Sequence, residues 1–277
     1  LTDVVLWIVS DLHLELTRGW DLPSGDARPR FDIMIVAGDL VPRMERGVAW
    51  LLERVTDRQV LYVAGNHEGY GCDEMRTVEK ARHAAAGTNV TILQNDIVRI
   101  GDATFAGATL WTDFDLFGDQ WRAMRVAGDR MNDFRKIRTT RYLERFRPPH
   151  ALARHLESRA FFEAEFRKPR SGPLVAISHH APYRGTGPAT AMSRLSDEEI
   201  LEAAYRSDLT RLMVPAPDDG RGALRPPDVW VFGHTHESVD TVVGETRLVS
   251  NAKGYGPWKA GQTWDNPGFD PARIIEI

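Results

Sequence analysis

Nine polar side chains in this 277-residue chain carry the donor atoms that metal ions and phosphoryl groups require: Asp11, His13, Asp39, Asn66, His67, His179, His180, His234 and His236. They fall in five short clusters, Asp11-Leu12-His13, Gly38-Asp39, Gly65-Asn66-His67-Glu68, His179-His180 and Gly233-His234-Thr235-His236. Carboxylate oxygen, amide oxygen and imidazole nitrogen together suit Zn, Mn or Fe, whereas calcium prefers all-oxygen ligation and structural zinc usually recruits Cys. Two clusters hold a ligand-x-His pair, and an extended backbone projects alternate side chains to one face. Two ions ~3.5–4 Å apart can hold a hydroxide between them and clamp the attacking and leaving oxygens of an in-line displacement at phosphorus. Such a pair needs a shared ligand, and a carboxylate has two oxygens to share. Taken singly, each residue has a bland explanation: Asp caps helices, Asn takes turns, and a lone His is usually a hydrogen-bonded core residue. That explanation does not account for all five clusters occupying the same kind of position.

The shared position is the end of a short apolar run. Val4 to Ser10, Ile33 to Ala37, Val60 to Ala64, Leu174 to Ser178 and Val229 to Phe232 each stop abruptly at one of the clusters, the pattern of buried strands. Helical patterns lie between them at Val48 to about Thr56, Asp73 to Ala86 and Ser196 to about Met213, the last opened by a Ser196/Glu199 capping box. Alternating strands and helices predict an α/β layered domain with its ligands beyond the carboxyl ends of the strands. Val90 to Ala106, broken at Asn95-Asp96 and Gly101-Asp102, and Ser238 to Ser250, broken at Gly244-Glu245, read as antiparallel pairs, so mixed sheets are expected. From Trp111 to about Lys168 the strand signals vanish. This stretch is expected to be a cap-like helical insertion, residues 112–170, within a single domain spanning 1–277, with Pro148-Pro149 dividing it. Pro215 to Pro227 is expected to be a surface loop.

Charge narrows the partners. The formal net charge is only -4, which gives no overall argument for nucleic acid or a membrane surface. Locally the balance differs: residues 122–147 hold nine basic and three acidic residues, a net +6 that leaves the remainder of the chain at -10. Such an island could funnel anions, with Trp111, Phe114, Phe117 and Trp121 either stacking on a ring or packing on the core. Asn132 and Arg138 in the insertion, and Tyr183 and Arg184 in the loop from His180 to Met192, are candidate substrate contacts. The single cysteine, Cys72, permits no internal disulfide, no apolar run approaches a membrane span, and no signal-peptide pattern stands at the start, so cytoplasm is the expected location. Oligomeric state leaves no mark in the sequence.

The five ordered clusters resemble the motifs of the calcineurin-like metallophosphoesterase superfamily, and they span residues 11 to 236. The segments Ser10 to Glu15, Gly107 to Asp113 and Ser250 to Tyr255 look like a bacterial subgroup of it. The resemblance implies a four-layer αββα sandwich of two mixed β-sheets flanked by helices. It implies two metal ions, one held by Asp11, His13, Asp39 and His236, the other by Asp39, Asn66, His179 and His234, with Asp39 bridging. His179 directly follows its strand, as the family's ligand does, which leaves His180 to line the pocket or to be structural. His67 would stabilise the phosphoryl oxygens or protonate the leaving alkoxide, and Glu68, where many relatives have Asp, would orient it. The implied activity is hydrolysis of a small-molecule phosphodiester or phosphomonoester. A nuclease or nucleotide pyrophosphatase gripping a polyanion with the basic insertion is the competing activity, and a catalytically silent metal-bound scaffold is the competing non-enzymatic role.

Overall fold

The computed structural model describes residues 4–185, 195–259 and 262–277. The apolar runs form strands β1 (Val5–Val9), β2 (Ile33–Ala37), β3 (Gln59–Val63) and β4 (Val90–Ile92), which lie parallel in one sheet with β13 (Ile274–Glu276) antiparallel at the β1 edge. A second sheet has the order β11 (Ser238–Val243), β12 (Thr246–Asn251), β10 (Val229–Phe232), β9 (Leu174–Ser178), β6 (Ala103–Ala108) and β5 (Asp96–Ile100). Its four central strands are parallel and its two edges antiparallel. Both sheets are therefore mixed, as expected.

Period-two alternation assigns the layers. Leu6, Ile8, Ile33, Ile35, Leu61 and Val63 of the first sheet meet Phe105, Val175, Ile177, Val229, Val231 and Val249 of the second in one apolar interface. The alternate residues Trp7, Val9, Met34, Val36, Val60 and Tyr62 face helices α1 (Met44–Arg54) and α2 (Glu74–Ala85). On the far side, Trp230, Phe232, Ala106 and Leu174 pack beneath Phe162 and Phe166 of α5 (Pro148–Phe166) and beneath Leu209, Leu212 and Met213. The result is the four-layer αββα sandwich. Strands buried on both faces explain why their sequences read as continuous apolar runs.

Several local expectations need correction. Val90 to Ala106 is not one antiparallel unit: β4 stays parallel beside β3, and the chain then crosses to the other sheet for the β5–β6 hairpin. The predicted helix from Ser196 to Met213 is short. The capping box forms and starts α6 (Asp197–Ile200), but only turns of 3-10 helix follow at Leu201–Ala204 and Thr210–Leu212. Between them Ser207 N–H donates to the Ala181 carbonyl at 3.0 Å and Leu209 N–H to Pro182 at 2.9 Å, so tertiary pairing outcompetes the helix.

The segment 111–170 packs in two parts. Helices α3 (Gln120–Arg130) and α4 (Asp133–Lys136) and the hairpin of β7 (Arg138–Thr139) and β8 (Glu144–Arg145) enclose their own apolar cluster with Trp111, Phe114, Phe134, Ile137 and Phe146. The second half of α5 instead joins the outer layer of the sandwich. Trp111 and Phe114 are thus core residues, whereas Trp121 remains 78% exposed.

Candidate metal centre

All five clusters stand at the carboxyl ends of parallel strands, β1, β2 and β3 from one sheet, β9 and β10 from the other. The two sheets bring them together into one buried nest. Asp11, His13, Asp39, His234 and His236 all hold left-handed backbone angles, with φ between 44° and 70°. A non-glycine residue in that region costs on the order of 1–3 kcal/mol, so turning these five side chains inward is itself costly. Two glycines make room. A Cβ on Gly65 would run into the Asp39 carboxylate, and one on Gly233 would run into Asp11.

The donor atoms converge in two groups. His13 Nε2 lies 3.1 Å from His236 Nε2, 3.9 Å from Asp11 Oδ1 and 3.8 Å from Asp39 Oδ2, and Asp11 Oδ1 lies 3.5 Å from His236 Nε2. His179 Nε2 lies 3.0 Å from Asn66 Oδ1, 3.1 Å from His234 Nδ1 and 3.4 Å from Asp39 Oδ1. Ligand atoms about 2.0–2.2 Å from a common tetrahedral or octahedral ion stand roughly 3–3.6 Å apart, close to these separations. Asp39 offers one oxygen to each group. Asp11, His13 and His236, and Asp39, His179 and His234, are each close enough to hold a cation.

Supporting bonds aim the rings. His179 Nδ1 donates to the Ala37 carbonyl at 2.9 Å, which leaves the Nε2 lone pair facing inward. His236 Nδ1 sits 3.2 Å from Asp265 Oδ2 with the same consequence, and the His234 backbone N–H donates to the Asp11 carboxylate at 3.0 Å. Electrostatics also call for positive charge here. Burial works against a charged His179, yet the facing Asp39 carboxylate pushes it up to about 10. Burial would raise Asp39, but His179 and His67 hold it well below the usual carboxylate range. Against its burial His236 is raised as well by Asp11, whereas burial holds His13 and His234 below the usual imidazole value, so their rings stay neutral and free to offer a lone pair. The donor chemistry and the unpartnered lone pairs therefore fit a pair of cations.

Glu68 does not orient His67. Its carboxylate is buried and fully engaged elsewhere, accepting from Asp39 N at 3.0 Å, Leu40 N at 2.8 Å, Gly65 N at 2.7 Å and the Tyr62 hydroxyl at 2.5 Å. It ties the second and third clusters together, and burial followed by the nearby Asp39 charge lifts it to about 7. The partner of His67 is Glu15, whose Oε1 lies 2.7 Å from His67 Nδ1 and 3.7 Å from His13 Nδ1. Burial disfavours a charged His67, but Asp39 and Glu15 raise it to about 9. Tyr70 stacks on the His67 ring at 4.1 Å, and Tyr255 packs against His13 at 4.6 Å and His236 at 4.7 Å. Glu15 had a sequence signal, two residues beyond His13 in Asp-x-His-x-Glu. Tyr255 closes the Ser250 to Tyr255 segment that resembles the subgroup, whereas Tyr70 had no such signal.

The candidate substrate residues divide. Asn132 lines the cleft over the metal centre, about 380 Å³ in volume, together with Tyr70, Arg130, Tyr205 and Arg206. Arg138 does not: it lies on the exposed hairpin, its backbone N–H donating to Cys72. His180 is not a pocket wall either. It is buried behind His234, rings 4.1 Å apart, with Nδ1 3.3 Å from the Thr109 carbonyl. Tyr183 and Arg184 line a neighbouring depression that shares Glu202, Arg206, His236 and Glu237 with the cleft. Part of their loop, residues 186–192, falls outside the described residues. The basic island does not form a funnel. Of its nine cations only Arg130 lines the cleft, and Arg130 pairs with Glu198 at 2.7 Å.

Comparison with known proteins agrees with this arrangement. A family model described as calcineurin-like phosphoesterase matches residues 4–238. An uncharacterized protein of Acanthamoeba polyphaga mimivirus is 21% identical over 300 residues, covering 99% of this chain and 96% of its own. The crystal structure of phosphopantetheinyl hydrolase from Mycobacterium tuberculosis superposes with a TM-score of 0.64 at 19% identity, covering 99% of this chain and 96% of that one. At that identity the likeness is one of fold.

Proposed function

The chain belongs to the calcineurin-like phosphoesterase family, and from that premise we propose that it is a dinuclear metal-dependent hydrolase of phosphoesters, with a preference for diesters. The observation that carries the proposal is the Asp39 carboxylate, whose two oxygens face two separate groups of inward lone pairs at 3.4 and 3.8 Å. Asp11, His13, Asp39 and His236 would hold one ion, and Asp39, Asn66, His179 and His234 the other. When bound, two such ions supply a nucleophilic water at neutral pH and offset charge on the phosphoryl oxygens. Mn, Fe and Zn all suit the donor set.

The remaining roles belong to the chain itself. Glu15 fixes the His67 ring through Nδ1, so that Nε2 is the atom able to hand a proton to the leaving oxygen, as a general acid must. Glu68 acts on the backbone: by gathering Asp39 N, Leu40 N and Gly65 N it holds the bridging carboxylate and the Asn66 loop in register. Tyr70 and Tyr255 flank the centre and limit water around the reacting phosphate. A nuclease or pyrophosphatase is the weaker reading, because the basic segment that would grip a polyanion points largely away from the cleft. The relative that hydrolyses a phosphopantetheinyl group suggests one diester to try first. Residues 112–170 are proposed as a cap whose last helix doubles as an outer layer of the sandwich. The cytoplasm is proposed as its location, and Cys72 is free and buried. Among the described residues no helix is long and apolar enough to cross a membrane.

Metal analysis of protein purified without added metal, coupled to rates on an aryl phosphate, a bis-aryl phosphate, a cyclic nucleotide, a phosphopantetheinyl diester and single-stranded DNA, tests the proposal. Two ions per chain with turnover of a small diester is the expected result. Full occupancy with no turnover on any of them would favour the silent scaffold, and a rate on DNA above that on every small ester would favour the nuclease.

A further inference from the structure

Asp133, on the insertion, is 1% exposed and contacts the metal centre without belonging to either group of ligands. Its Oδ1 accepts from Asn66 Nδ2 at 2.9 Å and from the Tyr70 hydroxyl at 2.7 Å. Its Oδ2 has no hydrogen-bond partner among the described residues. A buried carboxylate lacking donors on one oxygen is costly and persists where it serves a nearby positive charge.

The contact is held from both sides. Gly71 N–H donates to the Lys136 carbonyl at 3.0 Å and Arg138 N–H to the Cys72 carbonyl at 2.8 Å, so the chain after α4 is laced to the chain after His67. The Lys136 ammonium sits 4.8 Å over the Tyr70 ring, which stacks in turn on His67.

An amide can present either oxygen or nitrogen, and only its hydrogen bonds decide which. A carboxylate can only accept, so Asp133 captures Nδ2 and turns Oδ1 toward His179 Nε2, 3.0 Å away. Reversed, the amide would aim N–H groups at the cation. We propose that Asp133 is a positioning residue of the metal centre, fixing the Asn66 amide with its oxygen inward and holding Tyr70 as the shelf under His67. This rests on Asn66 being a ligand, as proposed above. The insertion then completes the metal site from outside the sandwich and is more than a lid over it.

The test is titration of metal-free protein with Mn²⁺, by calorimetry and by the electron paramagnetic resonance of the bound ions. Residues that orient metal ligands typically cost about 10–100-fold in affinity when lost. Asp133→Leu, similar in size and without an acceptor, should weaken one of the two binding steps by that factor and leave the other within about 3-fold. Asn66→Asp should set two carboxylates against each other. The swap Asn66→Asp with Asp133→Asn restores one donor facing one acceptor, and should recover at least about 10-fold over Asn66→Asp alone. A purely structural role for Asp133 would not produce that recovery. A folded Asp133→Leu protein that binds both ions within about 3-fold of wild type overturns the proposal. If that variant does not fold, a swap no better than Asn66→Asp overturns it. Wild-type protein that binds fewer than two ions sinks the dinuclear reading itself, a failure distinct from that of Asp133.

Discussion

Replacing Glu15 by Gln removes one charge 2.7 Å from His67 Nδ1 and keeps the shape of the contact. Charge-assisted hydrogen bonds contribute about 1.5–3 kcal/mol, roughly twice a neutral one, so the variant should lose about 1–2 kcal/mol of preference for the imidazolium. At about 1.4 kcal/mol per unit, the His67 pKa falls by about one unit from its raised position near 9. A general acid works while protonated, so activity is present below this pKa and is lost as pH rises through it. The alkaline limb of kcat/KM should therefore move about one unit toward acid. At pH 8 alkyl esters, whose leaving oxygen needs the proton, should slow only about 2-fold, and the loss should grow to about 10-fold by pH 10, where activated aryl esters should change by less than about 3-fold. The assay is a pair of pH–rate profiles, alkyl and aryl, for wild type and variant with metal content verified in each. An unmoved limb, or equal losses on both substrates, would refute the Glu15–His67 pairing as an acid–base unit.

Asp39→Asn should abolish binding of both ions, read by metal analysis after dialysis, because it neutralises the one carboxylate that both groups face; a fully metallated, active variant would contradict the shared ligand. His67→Ala should retain two ions yet slow alkyl esters by about 10²–10⁴-fold, the usual range for a positioned acid, with a far smaller loss on aryl esters. Tyr62→Phe leaves the buried Glu68 without its hydroxyl donor and should cost about 1–3 kcal/mol, visible as a melting temperature lowered by several degrees; an unchanged melt would mean that Glu68 is carried by its backbone donors alone. His155 is buried in the insertion, and burial holds it below its usual pKa although Asp113 works the other way. The unfolded chain takes up its proton near 6.5 and the folded chain does not, so its contribution to stability is present above that pH and is lost as pH falls toward the folded value. The drop in melting temperature between pH 7.5 and 5.5 should shrink in His155→Gln, and a drop of unchanged size would remove His155 from the acid sensitivity.

The sandwich and the candidate metal centre were legible because both are written in short, local signals. A strand buried on both faces is a run of apolar residues, and a ligand at its end is a polar residue next to that run, so five strand ends located seven ligand candidates. What escaped was decided by distance in the chain. Glu68 and Glu15 are equally capable of pairing with His67, and adjacency favours Glu68. In the fold Glu68 is turned back beneath the loops, where four donors already occupy it, whereas Glu15 crosses 52 positions to reach Nδ1. Asp133 could not be inferred because its partners, Asn66 and Tyr70, are more than 60 residues away and belong to a different layer. The basic island misled for a related reason. Composition reports how much charge a segment holds but not its direction, and five of its cations, Arg135, Lys136, Arg138, Arg141 and Arg145, lie exposed on or beside the hairpin.

The centre also carries costs that the fold does not need on its own terms. Asp11, Asp39, Glu68 and Asp133 are buried carboxylates within a few ångströms of one another or of shared partners, and five ligand candidates sit in left-handed backbone. Neither feature stabilises the chain by itself: like charges repel in a medium of low dielectric, and each strained residue adds to the cost. The glycines at 65 and 233 leave the space beside Asp39 and Asp11 that even a Cβ would fill. Selection for stability alone would replace these groups with apolar ones of similar volume, which commonly stabilises a buried ionic cluster. The proposed pair of cations would offset that charge, with one oxygen of Asp39 facing each ion. The same requirement accounts for the reach of Glu15 from the first loop and of Asp133 from the insertion, since a cation site built from loops is only as well defined as the residues that hold its ligands still.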